Sequence, residues 1–376
     1  MTLHFDNILD QNNIRAIAQS YGFSTPPNLE KFIMDFELYY HISQKMECIM
    51  RGGMCMPFHT NERVHRLSID IDLITSNTVD ETEQIMQKVA STIMELKFIK
   101  KNPKQRYPIA NLLSYDVNYQ SCFNVPDNVK VDFLCDVNID LPTKSIPSGF
   151  NVLGFSIDFS LAVLSYGALI GDKLTTLAID KIGLPERKFG DIPKQIYDIA
   201  TLLKTANREE LETAFDIFNK FTDYKVQIYE HEPRYQVKEI VDSINDSMYG
   251  FLDCESTVTL TSVSDGRYNS FKNRFLGTAG EQYKKTEHIT NLLIVFLFSK
   301  LVSKNLDDDI SSKDAAARII EHIGEISRLQ SLDEQELRRL AREDLLQDFP
   351  SLPFNKNILN GPPIEQIYLV KEIFSL

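Results

Sequence analysis

Residues 67–73 alternate strictly. Leu67, Ile69, Ile71 and Leu73 are apolar, and Ser68, Asp70 and Asp72 between them are polar. A period of two marks a strand with one face in a core and the other polar. The three polar side chains then share a face, because residues two apart on a strand point the same way. Upstream, 29–47 carries apolar residues at helical spacing behind Pro26 and Pro27, with Asn28 as the expected N-cap. A short strand at 48–51 runs into Gly52–Gly53. Downstream, 80–95 predicts a helix, and 96–101, 111–119, 129–137 and 152–157 predict strands. From 160 the spacing predicts helices at 160–182, 194–205, 208–221, 234–246, 286–304, 312–329, 332–347 and 363–374. The Ser-, Thr- and Gly-rich stretch 249–280 follows neither period. The pattern implies an α+β protein: a mixed-sheet core over 1–158 and a helical domain over 159–376.

The 376 residues suit two domains, at roughly 150 residues each. With 43% hydrophobic and 25% charged residues, the balance is that of an ordinary globular protein. The net charge of −13 excludes a strongly basic field for nucleic acid over the whole molecule. It divides into −4 over residues 1–204 and −9 over 205–376. The N-terminal half is therefore better suited to phosphate ligands once cations offset its acids. Cys48, Cys55, Cys122, Cys135 and Cys254 are odd in number and form no CxxC, which fits reduced thiols in a cytoplasmic protein. The opening residues lack the basic and apolar regions of a signal peptide. The apolar run 292–298 is too short for a bilayer, so no membrane partner is expected.

Asp70, Asp72 and Ser68 on one strand face are costly if buried unpaired. A pair of Mg²⁺ ions (or Mn²⁺) resolves that cost, because hard cations take carboxylate oxygens and bridge them to nucleotide phosphates. Gly52–Gly53 would let backbone N–H groups approach those phosphates closely. The competing reading is a strand whose polar face is simply wet. In 129–137, Lys130, Asp132 and Leu134 oppose an apolar face of Val129, Val131, Phe133 and Cys135. Asp132 would complete the metal site and take the proton of an attacking hydroxyl; otherwise it is an exposed acid on an edge strand. Asp136, on the opposite face, is the weaker candidate. Asp172, Lys173 and Thr176 fall together on a helix that Lys173 opens, where its point charge could hold a triphosphate. An amphipathic helix with an exposed lysine is the plainer alternative. Asp198 lies off the apolar face of Ile196, Ile199, Leu202 and Leu203 and could order Lys173 or Lys194, or be a surface acid. Lys97, Lys100, Lys101, Lys104 and Arg106 form a basic run that either steers an RNA backbone or caps a solvated hairpin. The histidines show no zinc-ligand spacing.

Taken in order, the leading helix, RGGMCM, RLSIDIDL, KVDFL, DKLTTLA and KQIYDIATLL resemble the AbiEii/AbiGii family of nucleotidyltransferase toxins, which includes the MenT-like toxins, over roughly 29–204. The resemblance implies a polymerase-β-like nucleotidyltransferase core, followed by a helical domain whose first helices, 160–204, complete the active site. It implies metal-dependent transfer of NMP from an NTP to an RNA acceptor, with tRNA foremost. It also implies the toxin role in a type IV toxin–antitoxin or phage-defence pair, with a cognate antitoxin encoded nearby. Asp70 and Asp72 then look like metal ligands, with Asp132 beside them. Gly52, Gly53 and Ser68 look like phosphate contacts, Lys173 and Lys194 like nucleotide contacts, and Asp198 like an active-site acid. One block departs from the family: Ile192, Lys194 and Gln195 stand where an Arg and a basic–acidic pair usually precede the final Asp. Transfer to a protein or small molecule, or a catalytically silent nucleotide-binding module, are the alternatives. Residues 205–376 carry no further motif.

Overall fold

The computed structural model describes residues 3–60, 66–101, 109, 111–185, 190–229, 233–253, 259–276, 282–333, 336 and 363–376. They form an α+β protein in two compact units. The first holds residues 1–169, 224–234 and 272–282; the second holds 170–223, 235–271 and 283–376.

In the first unit, helices α1 (Gln11–Tyr21) and α2 (Pro26–Ser43) precede strand β1 (Ile49–Arg51). A 3-10 turn (Gly52–Phe58), β2 (Asp70–Ile74) and α3 (Val79–Thr92) follow. Then come β3 (Lys97–Lys101), β4 (Leu112–Gln120), β5 (Pro126–Leu134), β6 (Thr143–Ile146), β7 (Phe150–Val152), β8 (Phe155–Ile157) and β9 (Leu161–Leu164). Seven strands make one sheet in the order β3-β4-β5-β2-β1-β9-β6. It is mixed: β2 runs parallel to β5 and β1 parallel to β9, while the other neighbours are antiparallel. Helix α2 packs against β2, β5 and α3. It is buried on nearly every side, with Leu29, Phe32, Ile33, Phe36 and Leu38 in the core and three acids, Glu30, Asp35 and Glu37, buried among them. Helix α3 starts with a reciprocal capping box between Thr78 and Glu81.

Several expectations change. Pro26 and Pro27 are the first two residues of α2 and Thr25 precedes them, so Asn28 is not the N-cap. Proline fits there because its missing N–H has no intrahelical partner to lose. Asn28 instead donates from Nδ2 to the Arg274 carbonyl, 3.0 Å away. The expected helix over 160–182 is β9 followed by a shorter helix, α4 (Tyr166–Thr175). Leu161, Val163 and Leu164 are buried, with Val163 opposite Met50 on β1. A short apolar run of this kind gives no period that separates strand from helix. The expected strand at 152–157 is a hairpin, β7–β8, that turns through Leu153 and Gly154 at positive φ. Asp132 is not on an edge, because β5 lies inside the sheet between β4 and β2.

The second unit is helical: α4 continues into it, followed by α5 (Ile192–Thr205) and most of α6 (Arg208–Ile228). Helix α7 (Val237–Phe251), the short strands β10 (Leu252–Asp253) and β11 (Thr259–Leu260), and α8 (Ser262–Phe275) come next. Helices α9 (Lys285–Leu306), α10 (Ser312–Ser331) and α11 (Ile364–Ser375) complete it. The stretch without a period, 249–280, thus holds two short strands and a helix. The expected helix at 332–347 lies almost wholly outside the described residues. Helix α9 is the hub, packing on α5, α7, α10 and α11. By length and composition it is apolar enough to cross a membrane, which the run 292–298 alone did not suggest. Most of its residues are nonetheless buried inside this unit.

Two buried histidines couple both units to pH. Burial lowers His59 to about 4, and its Nε2 lies 2.9 Å from the Leu164 carbonyl. Burial lowers His288 to about 3. Each is depressed in the folded chain, so its contribution is complete above the unfolded value of about 6.5 and fades as pH falls toward the folded one. Urea unfolding at pH 7 and pH 5 should show a loss of about 2 kcal/mol attributable to His59. His59→Gln should flatten that slope; an unchanged slope would mean that His59 does not titrate with unfolding.

Candidate active site

Strand register assembles polar side chains that are far apart in sequence. Arg51 on β1 is opposite Asp72 on β2, Asp72 is opposite Asp132 on β5, and Asp132 is opposite Ser114 on β4. Residues directly opposite one another share a sheet face. Arg51, Asp72, Asp132 and Ser114 therefore form one row across four strands. Two positions along, Asp70 is opposite Lys130, which is opposite Asp116, and this second row faces the same way. Ser114 donates to Asp132 Oδ1 at 2.7 Å, and Lys130 Nζ donates to Asp132 Oδ2. Asp116 pairs with Lys101 at 2.7 Å.

The electrostatics follow from this crowding. Burial raises the Asp72 carboxyl, and the Asp132 and Asp70 carboxylates raise it further, while Arg51 and Lys130 pull it down; the balance is upward. Burial opposes the charge on Lys130, but Asp132, Asp72 and Asp70 outweigh it and hold the ammonium above its usual range. Lys130 is thus the cation about which the three acids are arranged.

The glycine pair lies against the same residues. Gly52 turns the chain out of β1 at φ +73°, and a Cβ there would land on Asp72 Oδ2. A Cβ on Gly53 would land on Ser68 Oγ and 2.6 Å from Arg66 Nη2. Ser68 is buried, with Oγ 3.5 Å from the Asp70 carbonyl. Arg66 is buried too and donates from Nη1 to the Leu67 carbonyl at 2.9 Å. This stretch is pinned from far along the chain: Leu67 N–H donates to the Phe275 carbonyl at 3.0 Å, and Arg66 bridges to Leu276.

Helix α2 brings three buried acids to this unit. Glu30 accepts from Ser121 Oγ at 2.6 Å and from the Cys122 N–H at 2.7 Å. Glu37 accepts from the N–H groups of His4 and Phe5 and lies 2.7 Å from His41 Nε2. Asp35 is fully buried, and neither carboxylate oxygen has a hydrogen-bond partner.

Lys173 and Asp198 belong to the second unit. Lys173 sits in the last turn of α4, not at its start, and Thr176 follows just past the helix end. Lys173 Nζ donates to Asp198 Oδ2 at 2.6 Å, and both side chains are buried, so neither the exposed lysine nor the surface acid is found. Gly171 allows the close approach: a Cβ there would meet the α6 backbone, 2.8 Å from Phe218 N. Lys194, in the first turn of α5, is 3.7 Å from Asp191. In the basic run, Lys100 pairs with Glu83 at 2.5 Å and Lys101 with Asp116, while Lys104 and Arg106 lie outside the described residues. Asp136 is exposed just past the end of β5, at positive φ.

A family model described as nucleotidyl transferase AbiEii toxin, type IV TA system, matches residues 38–281. The chain belongs to the AbiEii nucleotidyltransferase toxin family. The match includes the glycine pair, both aspartate strands, Lys173 and Asp198. Among solved structures, MenT4, a nucleotidyltransferase toxin from Mycobacterium tuberculosis, aligns with 81% of this chain and 98% of its own. The identity is 13% and the TM-score 0.38, too distant to carry any residue across. A comparison with curated protein sequences gives no match.

Sequence pattern alone left Arg51, Arg66, Lys130 and Asp35 unassigned. Lys130 was legible as the same-face neighbour of Asp132. Arg51 and Arg66 flank motifs already singled out. Asp35 had only the signal of an acid inside an apolar helix.

Two predictions follow from the packing. Gly52→Ala combines left-handed strain with a clash on Asp72, whereas Gly149→Ala carries the strain with nothing within 4 Å. Gly149→Ala should lose about 1–2 kcal/mol and Gly52→Ala clearly more by urea unfolding; equal losses would show that the Asp72 contact is soft. Breaking the buried Lys173–Asp198 pair leaves a stranded charge. Lys173→Met should lose about 3–5 kcal/mol, and adding Asp198→Leu should recover most of it. A double variant no more stable than the single one would remove the pair as the cause.

Proposed function

We propose that this AbiEii-family chain is a divalent-cation-dependent transferase that moves a nucleoside monophosphate from an NTP to an RNA acceptor such as tRNA. The observation that carries this reading is the row Arg51–Asp72–Asp132–Ser114 with the Gly52–Gly53 backbone folded onto Asp72 and Ser68. In this reading the reaction arrests growth and a cognate antitoxin restrains it. Phage defence and a cytoplasmic setting, where NTP and tRNA are both at hand, belong to the same reading.

The donor set suits a hard cation. Asp70 and Asp72 are oxygen donors that share a face, and their crowding is what a divalent ion relieves. Among the described residues, no three His, Cys, Asp or Glu side chains form a ready metal group as they stand. Asp132 is engaged by Ser114 and Lys130. Asp70 and Asp72 would therefore hold the ion, and Asp132 would join once Lys130 turned to phosphate. When bound, such ions neutralise charge on the triphosphate and polarise its reacting phosphate.

The chain's own groups divide the remaining work. The N–H groups at Gly52 and Gly53 and the Ser68 hydroxyl would hold phosphate oxygens, and Arg66 would add positive charge beside them. Asp132 accepts the proton of the attacking hydroxyl once Lys130 has left it. Lys173 is held by Asp198 within the second unit, and Lys194 lies 3.7 Å from Asp191. Pairing of Lys100 and Lys101 with acids weakens the case for their run as an RNA track.

Asp70→Asn is the direct test. It keeps the shape and removes the charge that holds the ion. Incorporation of labelled NTP into total tRNA should fall at least a hundredfold, as a loss of roughly 3 kcal/mol of transition-state stabilisation requires. The melting temperature should hold or rise, because one of several crowded acids is gone. Full incorporation by folded Asp70→Asn would sink the mechanism. Growth arrest that persists without incorporation would detach the toxicity from it.

A further inference from the structure

Lys130 brings the chain's own positive charge into the acid row. It lies on β5, inside the sheet, directly opposite Asp70 on β2, and its side chain shares a face with Asp132 two residues on. Its Nζ donates to Asp132 Oδ2, while Ser114 Oγ donates to Oδ1 at 2.7 Å. Both oxygens of Asp132 are thus taken by donors from the chain. On its other side Lys130 is opposite Asp116, but Asp116 pairs with Lys101 at 2.7 Å. The ammonium therefore turns along its own strand to Asp132 rather than across to β4.

A lysine and a divalent ion make rival claims on these acids. When ionised, Asp70, Asp72 and Asp132 carry three negative charges, and Lys130 and Arg51 in the same two rows carry two positive ones. A divalent ion added to that set, with both cations in place, turns it net positive and brings like charges together. Such repulsion is stronger in a partly buried site than in water. Lys130 is also suited to moving. Its side chain is 35% exposed, and its charge sits at the end of a flexible four-carbon stem. Triphosphate oxygens offer that charge a second set of acceptors.

We propose that Lys130 is a resident counter-ion that competes with the divalent cation while no nucleotide is bound and passes to the triphosphate when one enters. This rests on the metal-dependent reading above and adds a regulation to it: cation and nucleotide each improve the binding of the other. Release of the ammonium frees an oxygen of Asp132 for the cation, and the phosphates accept the ammonium in exchange. By linkage, the factor by which nucleotide strengthens cation binding is the factor by which cation strengthens nucleotide binding. A lysine that merely neutralised the row to stabilise the fold would have a different signature, because its removal would loosen the acids without favouring a metal.

The test compares wild type, Lys130→Met, Lys130→Arg and Asp72→Asn in the full chain. Electron paramagnetic resonance measures binding of Mn²⁺ alone and of the preformed complex of Mn²⁺ with inorganic triphosphate, with melting curves alongside. Lys130→Met should bind Mn²⁺ alone at least roughly tenfold more tightly than wild type, and the triphosphate complex at least roughly tenfold more weakly. Without metal it should melt lower than wild type, and Mn²⁺ should restore it. Lys130→Arg keeps the charge, so its affinity for Mn²⁺ alone should stay close to that of wild type. If Lys130→Met folds poorly, Lys130→Gln reads the same two affinities. Unchanged or weaker binding of Mn²⁺ alone in the folded variant, with binding lost in Asp72→Asn, overturns the competition and leaves the metal reading standing. Tighter Mn²⁺ with unchanged affinity for the triphosphate complex overturns the transfer to phosphate. Absence of Mn²⁺ binding in every variant, with and without triphosphate, overturns this inference and the metal reading together.

Discussion

The first unit is organised around a crowding of like charge that the sheet enforces. Parallel pairing of β2 with β5 sets Asp72 directly against Asp132, and the period of two brings Asp70 to the same face. No rotamer choice removes this, because register fixes it. What side chains can do is distribute countercharge, and Arg51, Lys130 and Ser114 occupy the neighbouring positions of the same two rows. A one-residue slip of β2 would turn both acids to the opposite face and bring Ile71 and Leu73 out of the core. The burial of Ile71 and Leu73 therefore also holds the acids in place.

That arrangement explains why the glycine pair needs its composition. The chain leaves β1 one residue after Arg51 and must pass over Asp72 and Ser68 at a distance no Cβ permits. Gly52 supplies the left-handed turn and Gly53 the clearance. In the proposed function these N–H groups would face the phosphates of a nucleotide bound beside the acids.

Much of this was readable in the chain, and the reason differs by element. Strict alternation in 67–73 and the apolar face of 129–137 gave β2 and β5, because side chains there report directly on burial. Regular pairing nonetheless begins only at Asp70, since Arg66–Leu67 is held by the distant residues Phe275 and Leu276. A helix was expected over 160–182 because a run such as LAVL has no period of its own. Its pairing with β1 is decided by a strand more than a hundred residues away. Asp198 was legible as a partner of Lys173, but the burial of the pair was not, since it depends on how closely α4 packs on its neighbours around Gly171. Asp35 was invisible for a related reason: sequence shows that an acid is present, not that its hydrogen bonds are missing.

The distribution of satisfied and unsatisfied groups separates structure from site more sharply than any single motif. Glu30, Glu37 and Asp198 are buried acids with close partners, and such groups fix the fold. Around Asp72 the rules are relaxed together: a left-handed Gly52, a buried Arg66 and carboxylates that repel one another. Selection for stability alone would relieve the charge crowding by a single substitution, since Asn at Asp70 removes one of the repelling carboxylates. They lie together within the segment that the family model matches. On the proposed function, binding of a cation and its nucleotide would offset that crowding.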